Sequence, residues 1–284
     1  MIQVNALSFS YTKHPFLEDI NFEVKKGEIF GFLGPSGAGK STLQKILTGL
    51  ITTYQGSAVV NGIESKLHKD DFYESIGVDF EFPSLFEKLT AIQNLNFFGS
   101  LYAKELRDKE QLLNMVGLSQ DKNKKVSEYS KGMKSRLNFI KALLHDPELL
   151  FLDEPTSGLD PSNSRDMKDI ILQEKEKGKT IILTTHNMLD ATELCDRVAF
   201  IVDGKIKAMD TPHNLIMSKG ATKLVYHYHD NTTNREAQKE CLLSRTGEEK
   251  ELQRLLSNNQ LLSIHSSEPT LNDIFMEVTG RVLQ

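Results

Sequence analysis

The sequence predicts an α/β fold built around a parallel sheet, and two observations carry this prediction. The apolar run Ile29-Phe30-Gly31-Phe32-Leu33 leads into a glycine-rich loop, after which apolar residues recur at helical spacing. A second apolar run, Leu149-Leu150-Phe151-Leu152, ends in the carboxylates Asp153 and Glu154. Runs of this kind are typical of strands buried on both faces of a sheet, and ligands bind beyond the carboxyl ends of such strands.

The glycine-rich loop fits the pattern G-x-x-x-x-G-K-[ST] and lies in the expected context, between a strand and a helix. Successive backbone N–H groups of such a loop wrap a phosphate, and the helix start adds its positive dipole end. Lys40 would then reach the β- and γ-phosphates of a nucleoside triphosphate, and the Ser41 hydroxyl would hold Mg²⁺. The predicted phosphate-binding residues are Gly34, Pro35, Ser36, Gly37, Ala38, Gly39, Lys40, Ser41 and Thr42.

The composition is that of an ordinary globular chain, and it limits the kinds of binding partner to expect. The 284 residues suit one large domain, or one domain with a small appendix. A net charge of −5 gives no sign of a nucleic-acid-binding surface, so no nucleic-acid partner is expected. Cys195 and Cys241 stand far apart, which predicts neither a disulfide framework nor a zinc site and fits a reducing cytosol. The sequence shows no signal-peptide pattern and no apolar run near the ~20 residues that span a bilayer. A membrane role would therefore depend on a partner.

The amino-terminal part is predicted to be rich in antiparallel strands. Ile20, Phe22 and Val24 alternate with polar residues, and Asn61-Gly62 is the strongest short hairpin signal. From about residue 90 to 141 the pattern becomes helical, beginning with a capping box formed by Thr90 and Gln93. We interpret residues 90–141 as a helical insert.

The α/β alternation then returns, and the chain ends in a smaller segment. A strand is predicted at 180–184, followed by a helix and by a hairpin that turns at Asp203-Gly204. Residues 216–284 are interpreted as a small α/β appendix, in which Leu224, Tyr226 and Tyr228 alternate. Residues 230–240 are polar and are expected to form a loop, and Thr270 is expected to cap a last helix.

The paired carboxylates Asp153 and Glu154 are the second chemical feature. Asp153 would lie in the Mg²⁺ shell, directly or through water, and Glu154 would act as general base on the attacking water. The alternative is a strand end with two solvated acids, which the phosphate loop upstream makes less attractive.

Three further segments carry a resemblance to the ATPase subunits of ATP-binding-cassette (ABC) transporters. Tyr129-Ser130-Lys131-Gly132-Met133 resembles the signature L-S-G-G-Q, Ser157-Gly158-Leu159-Asp160 resembles the D-loop, and Thr184-Thr185-His186 resembles the switch-histidine segment. The resemblance covers residues 1 to about 215. It implies a P-loop NTPase with a RecA-like core, an antiparallel β subdomain and a helical insert.

The resemblance also implies roles and partners. Ser130 and the Gly132 N–H would grip the γ-phosphate of ATP held by a second copy, while His186 would contact that phosphate or the water beside Glu154. Tyr11 matches the aromatic residue that stacks on adenine, and Asp160 belongs to the nucleotide-binding set through the D-loop. The implied protein hydrolyses Mg·ATP as a homodimer at the cytoplasmic face of the cell membrane and powers a separate transmembrane permease. A soluble ABC-type ATPase with a non-membrane partner is the alternative.

Two residues depart from the family pattern. Glu81 stands where the family has a glutamine that senses Mg²⁺, and we expect it to remain a metal contact. Lys131 stands where glycine is usual, either adding a cation near the γ-phosphate or pointing to solvent.

Two other segments concern the partner. The apolar residues after Glu81 either pack against the insert or form a groove for a helix of the membrane partner; they are Phe82, Pro83, Leu85, Phe86 and Leu89. The segment Glu268-Pro269-Thr270-Leu271-Asn272-Asp273-Ile274-Phe275 resembles the carboxyl-terminal extension of ABC-2-type exporters, in the drug, bacteriocin and sodium-efflux group.

Overall fold

The computed structural model describes residues 1–218, 223–230, 235–267 and 269–280, and its contacts divide the chain into two compact units. The first unit is Met1–Asp210, and the second begins at Thr211. The sequence interpretation places the start of the appendix at residue 216. In the structure the second unit begins earlier, because the short helix Pro212–Met217, which includes that position, packs against the last helix of the chain.

The first unit contains most of the regular structure. Its strands are β1 (Ile2–Phe9), β2 (Leu17–Val24), β3 (Ile29–Leu33), β4 (Gln55–Val60), β5 (Ile63–Glu64), β6 (Ile76–Asp79), β7 (Leu149–Asp153), β8 (Thr180–Thr185), β9 (Arg197–Val202) and β10 (Lys205–Asp210). Its α-helices are α1 (Lys40–Leu47), α2 (Asp70–Tyr73), α3 (Ala91–Gly99), α4 (Lys109–Met115), α5 (Lys131–Leu143), α6 (Pro161–Glu176) and α7 (Met188–Leu194). Short 3₁₀ helices occupy Ser65–Leu67, Ser119–Asp121 and Val126–Glu128.

The central sheet has the strand order β10-β9-β3-β8-β7-β6, and all its neighbours are parallel except β10 and β9. Every residue of β3 and β7 is buried, as expected for strands covered on both faces. The register pairs Leu33 with Thr185 and Asp153 with Thr184. The carboxyl ends of these strands therefore meet at one edge of the sheet, and the predicted parallel sheet is confirmed.

A second, antiparallel sheet has the order β2-β1-β4-β5. Its apolar side chains share one core with those of the central sheet, and Phe22 packs against both Phe30 and Phe32. The hairpin between β4 and β5 turns at Asn61 and Gly62, whose φ angles are 50° and 80°. Positive φ at both positions is the requirement that gives Asn-Gly its hairpin preference, so this prediction is confirmed.

The insert between β6 and β7 contains helices α3 to α5. The Thr90 hydroxyl accepts from the Gln93 N–H at 3.2 Å and the Gln93 side chain accepts from the Thr90 N–H at 2.9 Å, which confirms the capping box. Helix α5 starts at the signature-like segment, where the Ser130 Oγ accepts from the Met133 N–H at 3.2 Å. In the described residues no helix has the length and apolarity needed to cross a membrane.

The second unit is a three-stranded antiparallel sheet with helices. Its elements are α8 (Pro212–Met217), β11 (Lys223–Asp230), β12 (Arg235–Leu242), the 3₁₀ helix Leu243–Glu248, α9 (Lys250–Ser257), β13 (Leu261–Ser267) and α10 (Leu271–Thr279). The strand order is β12-β11-β13. Leu252 and Leu255 of α9 pack on Tyr226 and Tyr228 of β11 to form a small core. Thr270 caps α10, as the sequence predicts.

The expected loop at residues 230–240 is wrong over most of its length. Strand β11 ends at Asp230, residues 231–234 lie outside the described residues, and β12 begins at Arg235. Strand β12 is an edge strand in which Ala237 and Cys241 alone pack on the core described for this unit. The other β12 side chains are exposed, and this explains the polar composition that suggested a loop.

One buried side chain in α1 contradicts the usual rule that buried polar groups are hydrogen-bonded. Gln44 is fully buried, and neither its Oε1 nor its Nε2 has a hydrogen-bond partner within the described chain. We expect Gln44→Met to raise the free energy of unfolding by about 1–3 kcal/mol, because it removes two unsatisfied polar atoms at nearly constant volume. Urea unfolding measures this effect. The matched control is Gln173→Met on an exposed position of α6, which should change stability by less than about 0.5 kcal/mol. A destabilised Gln44→Met would show that the amide has partners.

Candidate active site

A cavity of about 310 Å³ lies at the carboxyl edge of the central sheet. It brings together side chains from the loop after β3, the end of β7, the end of β8 and the segment after β6. Its lining residues are Phe16, Ser36, Gly37, Ala38, Gly39, Lys40, Ser41, Thr42, Glu81, Asp153, Glu154 and His186. Most of the residues expected to bind phosphate and metal thus face one space.

Two glycines of the loop are required by close packing and backbone conformation. A Cβ on Gly34 would lie 2.1 Å from the carbonyl oxygen of Ile201. Gly39, directly before α1, has φ +111°, and a Cβ there would lie 2.5 Å from Leu17 Cδ2. A side chain at either position would displace the loop, so the loop can follow this path only with glycine.

Lys40 lies at the first turn of α1 and is almost fully buried. Its Nζ donates to the carbonyl oxygens of Gly34 at 2.6 Å and Pro35 at 3.1 Å. Burial lowers the pKa of Lys40, and the nearby carboxylates of Glu154, Asp153 and Glu81 oppose this shift. The ammonium group is therefore held inside the loop with little water around it, so a phosphate bound there would interact with it strongly.

The acidic pair at the end of β7 is fixed by the end of β8. Thr184 Oγ1 donates to Asp153 Oδ1, and Thr185 Oγ1 donates to Glu154 Oε2 at 3.2 Å. His186 Nδ1 lies 2.7 Å from Glu154 Oε1, within hydrogen-bond distance. Asp153 is buried, whereas His186 is half-exposed to the cavity side.

Glu154 has a backbone conformation that is uncommon for a residue with a side chain. Its φ is +53°, while its N–H donates to the Thr184 carbonyl at 2.9 Å. Such a conformation costs of order 1–3 kcal/mol and persists only where the surroundings enforce it. This conformation turns the chain sharply at the end of β7. The Asp153 side chain is therefore buried, while the Glu154 side chain reaches His186.

The candidate adenine contact lies beside the cavity. Tyr11 is 58% exposed, and its hydroxyl lies 3.0 Å from Thr42 Oγ1. Tyr11 contacts Phe9 and Phe16 edge to face, with ring centroids 4.6 Å and 5.2 Å apart. Phe16 also lines the cavity, but its position directly before β2 gives no sequence signal that separates it from a core residue.

The signature-like segment and the D-loop contribute no residue to the cavity around Lys40, although Lys131 and Ser157 line a second cavity together with Glu81, Asp153 and Glu154. Ser130, Gly132 and Asp160 do not line the cavity that holds Lys40. Asp160 instead caps α6, accepting from the N–H groups of Ser162 and Asn163 at 3.1 Å each. The Lys131 side chain lies over Gly158 in the D-loop, where its Cε and Nζ are 3.1 Å from the position of an added Cβ.

Asp79 and Asn138 are buried polar residues that the sequence analysis missed. Asp79 ends β6 beside Asp153, and Asn138 Nδ2 donates to Asp79 Oδ1. Burial raises the pKa of Asp79 to about 7, against the effects of Lys141 and Asn138. The one available signal was an acidic residue in the otherwise apolar strand Ile76-Gly77-Val78-Asp79.

The glycine loop on the turn from β3 to α1, with acids at the end of the parallel strand β7 on the far side of β8, defines a P-loop nucleoside triphosphatase. Residues 17–157 match the family model described as ABC transporter. The chain is 48% identical to the fluoroquinolones export ATP-binding protein of Mycobacterium tuberculosis, over 100% of this chain and 94% of that protein. It is 32% identical to the linearmycin resistance ATP-binding protein of Bacillus subtilis, over 100% of both.

Comparison with solved structures agrees. A structure described as the ATP binding subunit of an ABC transporter has a TM-score of 0.70 and 30% identity, covering 77% of this chain and 93% of that one. The chain belongs to the ABC transporter family. Members of its kind bind ATP and couple ATP hydrolysis to transport by a transmembrane subunit. The predicted class of protein is thereby confirmed.

Proposed function

We propose that two copies of this chain bind two Mg·ATP between them, close, hydrolyse and reopen, and so drive a separate permease of an exporter. The observation that carries this proposal is the division of the site within one chain. The phosphate cavity contains Lys40, Asp153, Glu154 and His186, whereas Ser130 and Gly132 lie outside it. A second copy would supply that missing part, and because one chain carries every part, a homodimer is sufficient.

Nucleotide binding would use the loop and its surroundings. The N–H groups of residues 36–42 would wrap the β- and γ-phosphates, and Lys40 would exchange its loop carbonyls for phosphate oxygens. Tyr11 would stack on the adenine. From the second copy, Ser130 and the Gly132 N–H at the start of α5 would hold the γ-phosphate, with Asp160 in the adjoining D-loop.

Hydrolysis would use the Glu154–His186 pair. Glu154 would take a proton from a water molecule while the oxygen of that water forms a bond to the γ-phosphorus. The bond from the γ-phosphorus to the bridging oxygen would break, and ADP would leave. His186 would orient Glu154 through the 2.7 Å contact and would hydrogen-bond the γ-phosphate or the water. The Thr185 hydroxyl would fix the second carboxylate oxygen.

The residues present fit a magnesium ion bound together with the nucleotide. Ser41, Asp153 and Glu81 line the same cavity and offer only oxygen, the ligand that Mg²⁺ prefers. Within the described ranges no three His, Cys, Asp or Glu residues are arranged to hold a metal by themselves, so phosphate oxygens and water would complete the shell. When bound, Mg²⁺ would neutralise charge on the β- and γ-phosphates.

The permease contact is proposed at an aromatic patch, defined as Phe82, Phe86, Phe97 and Phe98. Phe82 is 78% exposed, and Phe86 and Phe97 are also exposed. The Phe86 ring packs on the rings of Phe97 and Phe98. Both uses considered for this loop, packing on the insert and an apolar docking surface, are therefore compatible. Docking there would place the chain peripherally at the cytoplasmic face of the membrane.

Export is proposed from the relatives, whose names describe fluoroquinolone export and linearmycin resistance. The exporter-like segment supports it from Pro269 onward, while Glu268 lies outside the described residues. The test is extraction of native membranes in mild detergent with this chain tagged. A stoichiometric polytopic membrane protein should co-purify, together with Mg²⁺-dependent ATPase activity. Recovery of the chain alone, or with ribosomes or DNA, would contradict the coupling to a permease.

A further inference from the structure

The loop that carries Glu81 is held at both ends by buried amides of the helical insert. At its start, Asn138 of α5 donates to Asp79 Oδ1 and, at 3.2 Å, to the Phe80 carbonyl. At its end, Asn94 of α3 accepts from the Phe86 N–H at 2.8 Å and donates to the Phe86 carbonyl at 3.1 Å. Asn138 is 1% and Asn94 0% exposed. The path of residues 80–86 is thus set by helices α3 and α5.

Lys141 connects this tether to the aromatic patch. Its Nζ donates to Asn138 Oδ1 at 2.6 Å and to the Ser84 carbonyl at 3.3 Å. The same Nζ lies 4.9 Å from the centroid of the Phe98 ring, which stacks on Phe86 with centroids 5.6 Å apart. One ammonium group therefore touches the amide that holds Asp79, the middle of the loop and the patch.

The energetic reason for this arrangement is the burial of Asp79, which is 4% exposed at the end of β6. A buried carboxyl group without partners is costly, so Asp79 requires the hydrogen bond from Asn138 Nδ2. The Asn138 Oδ1 in turn accepts a hydrogen bond from Lys141 Nζ. Lys141 bonds Asn138, and Asn138 bonds the Phe80 carbonyl directly before Glu81. A shift of Phe98 that moves Lys141 would therefore also alter the hydrogen bond that fixes the backbone beside Glu81.

We infer that Asn138 and Lys141 are positioning residues that set Glu81 at the phosphate cavity and transmit displacement of the aromatic patch to it. This inference rests on the proposed function, since it gives Glu81 its role at Mg·ATP. It goes beyond that function by naming the side chains through which the patch and the cavity communicate.

The first test compares the Mg²⁺ dependence of ATP hydrolysis in full-length variants. Lys141→Met keeps the side-chain stem and removes the donors, and it should raise the Mg²⁺ concentration for half-maximal rate about tenfold. The KM for ATP at saturating Mg²⁺ should stay within about twofold. Lys141→Arg should restore the wild-type midpoint because it keeps the charge and the donors.

The matched control is Lys179→Met. Lys179 is buried and pairs with Asp146 at 2.5 Å and the Pro147 carbonyl at 2.7 Å, but it precedes β8 at the opposite edge of the sheet. It should lower stability without moving the Mg²⁺ midpoint. If Lys141→Met behaves like Lys179→Met, the inference is wrong.

A double-mutant comparison separates this inference from the proposed function. Glu81→Gln should shift the Mg²⁺ midpoint by itself, and adding Lys141→Met to it should cause no further shift. If Glu81→Gln has no effect, the metal role of Glu81 fails. If Glu81→Gln shifts the midpoint and Lys141→Met adds its full shift on top, Lys141 does not act through Glu81.

A fluorescence measurement tests the connection without turnover. The chain contains no tryptophan, so Phe86→Trp places a single reporter in the aromatic patch. Mg·ATP should change its emission in the otherwise wild-type chain and with Lys179→Met, but not with Lys141→Met. If Lys141→Met does not fold, Lys141→Gln serves instead, since it removes the charge and shortens the side chain while leaving the rings around the reporter unchanged. An emission change that persists in these variants would overturn the inference.

Discussion

Replacing Glu154 with Gln is expected to lower ATP turnover by roughly 10²- to 10⁴-fold while ATP-bound dimers accumulate. Glutamine fills the same space and can still hydrogen-bond His186 and Thr185, so the pocket should keep its shape. It cannot accept the proton of the attacking water. Because reopening follows hydrolysis, the variant should remain closed, and light scattering in Mg·ATP should report twice the monomer mass.

The matched control for this experiment is Glu148→Gln. Glu148 directly precedes β7, the strand that ends in Asp153 and Glu154, and forms an exposed ion pair with Lys26 at 3.7 Å. Its substitution should leave the rate of ATP turnover unchanged, and light scattering should show no accumulation of ATP-bound dimers. A Glu154→Gln chain that stays monomeric in Mg·ATP would contradict dimer closure, and one that hydrolyses at the wild-type rate would remove Glu154 from the chemistry.

The sequence predicted the parts of the site that are local in the chain. The phosphate loop lies on one strand-to-helix turn, and the acid pair and His186 follow strands whose apolar runs are unambiguous. Parallel strands bring their carboxyl ends to one edge, so these segments had to converge in the structure. The common cavity of Lys40, Asp153, Glu154 and His186 follows from that geometry.

Features that depend on long-range packing could not be predicted in the same way. Asn138 and Asp79 are 59 residues apart, and only the crossing of α5 over β6 makes one the partner of the other. Strand β12 resembles a loop because an edge strand shows most of its side chains to water. Phe16 lines the cavity because of where β2 begins, and no periodicity records this.

The proposal that two copies share each site gives the second large prediction. Lys40→Met and Ser130→Arg should each abolish hydrolysis, because every site then lacks either its phosphate-binding cation or its signature contact. An equal mixture of the two variants should regain about a quarter of the wild-type rate, provided the two sites turn over independently. Half of the randomly formed dimers are heterodimers, and each of those pairs one intact Lys40 with one intact Ser130.

The control is a mixture of the Lys40→Met chain with a chain that carries both substitutions, since every site in that mixture lacks Lys40. Loss of the α5 cap in Ser130→Arg should cost about 1 kcal/mol, too little to unfold the chain. If Ser130→Arg alone keeps full activity, the signature segment makes no contact with ATP. If both single variants are inactive and the mixture stays inactive although heterodimers form, then Ser130 and Lys40 must serve the same nucleotide from one chain. That result would conflict with their separation in the structure, where Ser130 lies outside the cavity around Lys40.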